Sequence, residues 1–153
     1  MAIEIVLPNP PATTHSIRQL EDSMGFKLPS SFVAFLRTAN GGHPTHDCYP
    51  IEGLALNPLG VAAYLFGIGL SPDILNIENH LAFFRGRIPS QIAIIGRNGG
   101  SDYICLDLRN DGEKVVFWDH GHFWSTGEWR ESDLYFIAKS FEAFLRSLRP
   151  NPY

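Results

Sequence analysis

The sequence is poor in cysteine, and its two cysteines are not spaced for cross-links. Cys48 and Cys105 are far apart and show neither the close spacings of a zinc cluster nor those of a disulfide framework. Such usage is typical of a reduced, intracellular protein, so we expect a cytoplasmic location. Met1–Leu7 also lacks the positive charge and the long apolar core of a secretion signal.

The sequence lacks a convincing membrane span as well. Gly53–Pro72 carries no formal charge and approaches the length that crosses a bilayer. Residues that favour turns interrupt it at Asn57, Pro58, Gly60, Gly67 and Gly69. We interpret the stretch as short buried strands joined by turns, and we expect no membrane partner.

No block of positive charge is present. The chain has 12 Lys and Arg against 16 Asp and Glu, a formal net charge of −4, and these residues are scattered. Proteins that bind nucleic acid usually carry a basic stripe that meets the phosphates, so we expect no nucleic-acid partner. With 153 residues, 44% of them hydrophobic, and without a repeat or linker, the chain predicts one domain over residues 1–153.

Apolar spacing predicts three helices in the first ninety residues. A threonine at 13 or 14 can cap a helix whose apolar residues recur at i, i+3 and i+7 up to Met24, where Gly25 ends it. Pro29 begins a second helix, which ends in Asn40-Gly41-Gly42. Pro72 begins a third, which should stop before residue 88.

Short apolar or alternating runs predict strands between and after these helices. They are Tyr49–Leu54, Val61–Ile68, Ile92–Ile95, Tyr103–Leu108 and Lys114–Asp119. Asp111-Gly112 favours a hairpin turn between the last two, because it accepts positive φ angles. Ser132 or Asp133 is predicted to cap a long C-terminal helix that reaches Leu148. We therefore expect an α+β domain: a largely antiparallel sheet with helices packed on it, two of them N-terminal and one long and C-terminal.

One composite pattern extends from about Thr14 to Leu148. It opens with Ile17-x-x-Leu20-Glu21, continues as Met24-Gly25-x-x-Leu28-Pro29-x-x-Phe32-x-x-Phe35-Leu36, and closes in Asn40-Gly41-Gly42. Later pieces are Gly99-Gly100-Ser101-Asp102-Tyr103 and Ser140-Phe141-x-x-Phe144-Leu145. Together they resemble the SUKH superfamily, which includes fungal cell-wall assembly regulators and bacterial toxin-immunity proteins. The resemblance implies a non-catalytic fold that binds a protein partner, and it transfers no defined active site.

Two polar clusters have metal-binding side-chain types. They are His43, His46, Asp47 and Cys48 in one segment and Asp119, His120 and His122 in another. Imidazole, carboxylate and thiolate all bind zinc, but neither cluster has a known zinc spacing. We interpret both as polar loops, predict neither metal nor cofactor, and leave metal binding as an open alternative.

Other candidate sites are weaker still. The loop Gly96–Ser101 is followed by a strand and lacks the lysine of a phosphate loop, so we interpret it as a turn between strands. Cys105 lies in mid-strand, where a buried packing residue is typical. Asp102 and Asp107 are an odd number of residues apart on one strand, which directs them to opposite faces. The sequence predicts no catalytic residue.

Aromatic residues cluster within the C-terminal half of the chain. Trp118, Trp124 and Trp129 fall within twelve residues, and tryptophan is enriched where proteins bind each other. Any one of them can simply fill the core, but we expect at least one at the surface. Alternation directs Tyr103, Cys105 and Asp107 away from Ile104, towards a second face that we expect to be partly open, aromatic and acidic, between loops 42–49 and 121–129.

The predicted partner-binding residues lie on that face and its rim. They are Asp47, Tyr49, Asp102, Tyr103, Asp107, Trp118, Trp124 and Trp129. The leading hypothesis is an immunity protein that binds a toxin domain and blocks it by occlusion. The alternatives are a regulatory scaffold for an endogenous partner and a small metal-dependent hydrolase using His46 or His120. The oligomeric state stays open.

Overall fold

The computed structural model describes residues 4–54 and 59–152, and eight strands and five α-helices lie within them. In chain order the strands are β1 (Ile5–Val6), β2 (His43–Pro44), β3 (Cys48–Pro50), β4 (Leu59–Leu65), β5 (Ile92–Asn98), β6 (Tyr103–Asp107), β7 (Lys114–Trp118) and β8 (Leu134–Ala138). The helices are α1 (Thr14–Met24), α2 (Ser30–Thr38), α3 (Ile77–Phe84), α4 (Gly121–Thr126) and α5 (Phe141–Ser147).

Strands β3 to β8 form one antiparallel sheet in sequence order, and β1 pairs with β2 in a separate two-stranded ladder. The six-stranded sheet curls until its edges meet. Just after β3, the Glu52 N–H donates to the carbonyl of Phe136 in β8 at 2.9 Å. The architecture is a single α+β domain with helices packed on a nearly barrel-shaped sheet, which confirms the predicted fold class.

The two N-terminal helices form as predicted. Thr13 caps α1, because its side chain accepts a hydrogen bond from the Ser16 N–H at 3.0 Å, and Gly25 ends the helix with a φ of 82°. The Glu21 carboxylate then accepts the N–H of Leu28 at 2.7 Å, which fixes the turn into α2.

Aromatic side chains join α2 to α5 in the core. The rings of Phe32 and Phe141 meet edge to face at 4.9 Å, and Phe144 contacts the ring of Tyr49 in β3 at 5.5 Å. All four side chains are buried. Truncating one of these phenylalanines to alanine is expected to cost about 3–5 kcal/mol of stability.

The prediction of a long C-terminal helix is wrong. Residues 134–138, which the spacing assigns to that helix, form strand β8 instead, and Tyr135 lies opposite Phe117 of β7. Neither Ser132 nor Asp133 caps an α-helix; they lie in a short 3-10 turn, and Ser140 caps the seven-residue α5 by accepting the Ala143 N–H at 3.0 Å.

Two further local predictions are corrected. The third helix begins at Ile77, not at Pro72, since Asp73–Leu75 forms a separate 3-10 turn. In the turn between β6 and β7, Asn110 and Asp111 have the positive φ angles, and Gly112 has a φ of −82°.

The second face of the sheet, which was expected to be partly open, is covered along most of β6, and only its Tyr103 end stays half-buried. Residues 104–107 are all buried, so both faces of β6 pack against other elements. On the Tyr103 side, Phe84 of α3 contacts both Tyr103 and Trp118, and Phe123 of α4 also contacts Trp118. Helices α3 and α4 therefore supply a cover that the sequence did not predict.

The uncharged stretch 53–72 contains β4 and a loop, and its residues 55–58, with Asn57 and Pro58, lie outside the described residues. Among the helices of the described chain, none has the length and apolar character needed to cross a bilayer.

Candidate functional site

An open groove of about 450 Å³ lies between the end of β5, the start of β6, the start of α4 and the segment from Ile74 to His80. We call it the aromatic groove, and it is lined by Phe66, Ile74, His80, Arg97, Ser101, Tyr103, His120, Gly121 and Trp124. Three separate chain segments supply these residues, which explains why no single motif marks the groove.

Two large apolar side chains of the aromatic groove are open to solvent. Trp124 on α4 is 73% exposed, and Ile74 in the 3-10 turn before α3 is 53% exposed. Isolated exposed apolar residues are common, but two that line the same concave surface are typical of a binding site. Trp124 fulfils the expectation that at least one tryptophan of the cluster reaches the surface.

Buried polar side chains hold the segment that carries Ile74. The Asn76 side chain accepts the Leu70 N–H at 2.6 Å and donates to the Leu70 carbonyl at 2.8 Å. His80 Nε2–H donates to the Ile74 carbonyl at 2.8 Å, and its ring stacks on Phe66 at 4.3 Å. Burial lowers the pKa of His80 despite that hydrogen bond, so its imidazole is neutral at pH 7.

A carboxylate holds the opposite rim. One oxygen of Asp102 accepts both His120 Nδ1–H at 2.8 Å and the His120 backbone N–H at 3.1 Å. The imidazole ring then lies 5.1 Å from the Tyr103 ring and 6.1 Å from the Trp124 ring, measured between centroids. The Asp102–His120 pair therefore fixes the start of α4, which carries Trp124.

The charged part of the lining is cationic. Arg97 is exposed and donates to the Ser101 hydroxyl at 3.2 Å. Arg97 lies directly opposite Tyr103 in the β5–β6 ladder, and its positive charge opposes the rise in the pKa of Tyr103 that burial causes. No aspartate or glutamate is among the described residues that line the groove.

Three predicted partner-binding residues lie at the aromatic groove. Tyr103 and Trp124 line it, and Asp102 supports it through His120. Their role in binding stays a prediction. The segment 42–49, expected as the other rim, contributes none of the lining residues; it contains β2 and the start of β3.

The other five predicted residues lie inside the protein or are partly buried. Tyr49 donates its hydroxyl to Asn98 Oδ1 at 2.7 Å, and Trp118 is fully buried. Asp47 is buried with a carboxylate oxygen 3.5 Å from His43 Nε2, and Trp129 packs on Trp118 with 5.3 Å between centroids.

Asp107 serves a structural ion-pair cluster at the far end of β6. It accepts two hydrogen bonds at 2.9 Å from the guanidinium of Arg109, which also contacts Glu131 at 2.6 Å. Asp102 and Asp107 thus act at opposite ends of the strand. Neither this cluster nor the five buried or half-buried positions lines the aromatic groove.

The metal and nucleophile candidates acquire no further support. Within the described chain, no group of three or more His, Cys, Asp or Glu is placed to hold a metal ion. Cys105 is fully buried, and burial raises the pKa of its thiol, as expected for a packing residue. Gly96–Ser101 contains the turn between β5 and β6, as predicted.

Sequence reasoning missed Ile74, Phe66, His80 and Arg97. Ile74 falls within the predicted third helix, and as an apolar residue of an amphipathic helix it would be buried. His80 and Phe66 are ordinary packing residues by type. A signal for Arg97 was absent too, because one arginine after an apolar strand fits any surface position.

A smaller cavity of about 100 Å³ lies between α1, α3 and β5. Its lining is mainly apolar and includes Met24, Ile77 and Leu81. We interpret it as incomplete packing beneath the helices.

Comparison with known proteins matches the sequence to one family. Residues 11–147 match the model of the SMI1/KNR4 family, also termed SUKH-1. The chain is also 30% identical over 155 aligned residues to the SPbeta prophage-derived uncharacterized protein YokK of Bacillus subtilis (strain 168), an alignment that covers 92% of this chain and 76% of YokK.

Proposed function

This chain belongs to the SMI1/KNR4 family (SUKH-1), and on that premise we propose that it is an immunity-type protein that neutralises a toxin domain by binding it. The superfamily includes toxin-immunity proteins, and its members are generally non-catalytic immunity or regulatory proteins. The toxin would act inside the cell, so we propose that this protein works in the cytoplasm.

The observation that carries this proposal is the exposure of Trp124 in a groove whose walls are held in place. Tryptophan buries a large apolar area on binding and is over-represented among residues that dominate binding energy. The hydrogen bonds of Asp102 to His120 and of Asn76 to Leu70 position both rims before a partner arrives. A pre-formed site loses less conformational entropy on binding, which favours affinity.

We propose that inhibition follows from occlusion and needs no reaction at the groove. His120 and Asp102 have a clear positioning role at the start of α4. Most of the residues that line the groove are apolar or aromatic, as a contact surface requires.

Growth rescue tests the proposal. The toxin encoded by the neighbouring gene is expressed with the wild-type chain, with Trp124→Ala or with Phe136→Ala. Phe136 is a matched control, since it is a partly exposed aromatic residue of β8 that does not line the groove. We expect rescue by the wild type and the control, and loss of rescue by Trp124→Ala. Failure of the wild-type chain to form any complex with the toxin would contradict the proposal.

A hydrolase is the second candidate, because a carboxylate that orients an imidazole is also found in general-base catalysis. His120→Gln separates the two functions. A hydrolase would lose turnover of an ester or phosphodiester substrate in this variant, whereas a binding protein shows no turnover to lose.

A further inference from the structure

The aromatic groove combines apolar walls with one unneutralised cation. Arg109, Arg130 and Arg146 each pair with a carboxylate within 2.9 Å. Arg97 instead donates to a neutral hydroxyl, that of Ser101. In the described part of the chain no salt bridge within 4.0 Å involves Arg97, so its charge is available to a partner.

Asp73, Asp102 and Asp119 each neighbour a lining residue directly in sequence, but none of them is among the described residues that line the groove. Asp102 accepts two hydrogen bonds from His120, and it is not one of the lining residues. The groove therefore differs in sign from the chain as a whole, whose formal net charge is −4. The described lining of the groove therefore presents a guanidinium and the Tyr103 phenol to a partner, and no carboxylate.

The apolar walls lie beside this cation. Trp124 and Ile74 leave most of their side-chain surface exposed, and Phe66 and Tyr103 form aromatic surface within the same groove. Such walls bind an aromatic or branched aliphatic side chain by removing apolar area from water.

We propose that the aromatic groove binds a segment of the partner protein in which a carboxylate stands next to an aromatic or branched aliphatic side chain. The carboxylate pairs with Arg97, and the apolar side chain packs between Trp124 and Ile74. This inference rests on the proposed function and adds the chemistry of the partner at the same groove.

The main alternative is that the groove prefers a cationic side chain of the partner over a carboxylate. The face of an exposed tryptophan attracts cations, so Trp124 alone would also accept a lysine or arginine of a basic partner. Arg97 repels such a cation at short range. The proposal therefore depends on whether the groove binds an acidic or a basic side chain more tightly.

NMR titration of the full chain with capped dipeptides measures whether the groove prefers an acidic or a basic side chain. The probes are acetyl-Asp-Phe-amide, acetyl-Asn-Phe-amide and acetyl-Lys-Phe-amide. We expect shifts at the indole N–H of Trp124 and at the backbone amides of Ser101 and Tyr103. The Asp peptide should bind about two- to fivefold more tightly than the Asn peptide, as a partly exposed ion pair provides. The Lys peptide should bind most weakly.

Charge variants link the preference to Arg97. Arg97→Lys should keep the order of the three peptides, and Arg97→Glu should reverse it. Arg37→Glu on α2 is the control, since Arg37 is also exposed and does not line the groove. Equal affinities for the three peptides, tightest binding of the Lys peptide, or absence of a shift at Trp124 would overturn the inference.

The outcomes for the two proposals are separable. If Trp124→Ala abolishes rescue from the toxin while the peptides show no acidic preference, the groove binds the toxin by another chemistry. An acidic preference without rescue would instead retain the groove as a binding site and remove the toxin as its partner.

Discussion

Individual polar residues inside this protein connect segments that are remote in sequence. The Asn40 side chain donates to the carbonyls of Pro10 and Ile68 at 2.9 and 3.0 Å and accepts the Ile68 N–H at 2.9 Å. Its backbone has a φ of 51°, and a Cβ at Gly41 would lie 2.6 Å from the Leu65 carbonyl oxygen. These contacts explain the sequence Asn-Gly-Gly after α2, which spacing alone identifies only as a helix end.

Asn40→Asp keeps the acceptor and removes the donor. The carbonyls of Pro10 and Ile68 then lose a partner in a partly buried site, and we expect the free energy of unfolding to fall by about 1–3 kcal/mol. Urea denaturation followed by far-UV circular dichroism measures the loss. Asn110→Asp is the control, because Asn110 also has a positive φ and is exposed. An equal loss in both variants would show that backbone conformation, not hydrogen bonding, sets the cost.

The Asp107 ion-pair cluster predicts a dependence of stability on pH. Burial alone would raise the pKa of Asp107, but hydrogen bonds and charge from Arg109, with Lys114, lower it below 3.8. Hydrogen bonds from Arg109 likewise lower the pKa of Glu131. A carboxyl group with a lowered pKa in the folded state stabilises the protein above its unfolded pKa, and this contribution disappears as pH falls through the folded value.

Asp107→Asn removes that contribution. We expect the variant to be less stable than the wild type at pH 7, and the difference in the free energy of unfolding to shrink as pH falls below about 4. Urea titrations from pH 7 to pH 2.5 follow it. A difference that stays constant over this range would mean that the Asp107 charge contributes nothing.

At the scale of elements, the C-terminal segment shows where local pattern fails. Leu134, Ile137, Ala138 and Phe141 fit a helical stripe, yet residues 134–138 pair with β7 along its free edge. The partners on β7 are 16 residues away for Leu134 and Trp118 and 23 residues away for Ala138 and Val115, so the spacing within one short window does not reveal the pairing. The N-terminal helices were predictable, since their caps and stop signals lie within their own sequence.

Two serines discriminate between the predicted helix and the observed one. Ser140→Ala removes the cap of α5 and should lower the free energy of unfolding by about 1 kcal/mol. Ser132→Ala should cost less than about 0.5 kcal/mol, because the exposed Ser132 caps no α-helix. Thermal and urea unfolding of both variants measure this. A larger loss for Ser132→Ala would favour the long helix.

At the scale of the whole molecule, the fold class was predictable from the sequence and the groove was not. The fold class followed from composition and apolar spacing, because only a few layered arrangements of helices and strands bury all their apolar faces. The groove did not follow, since segments 66–80, 97–103 and 120–124 are separate in sequence and meet only in the folded protein. The sequence predicted that a tryptophan would be exposed, but the turn and short helix around Trp124 have no regular period to show which one.

Trp124 contributes contact surface and little to the core. With 73% of its surface exposed, its replacement by alanine should change the free energy of unfolding by less than about 1 kcal/mol. Trp118, fully buried among Phe84, Phe123 and Trp129, is its counterpart in the core. A role in binding therefore predicts a loss of affinity without a loss of fold.

The most direct test of binding through the aromatic groove is isothermal titration calorimetry. The purified toxin domain is titrated against the wild type, Trp124→Ala and Phe136→Ala. We expect Trp124→Ala to weaken binding by at least about 2 kcal/mol, a thirtyfold or greater rise in Kd, while Phe136→Ala binds as the wild type does. An unchanged Kd for a folded Trp124→Ala variant would contradict the claim that this protein acts through the aromatic groove.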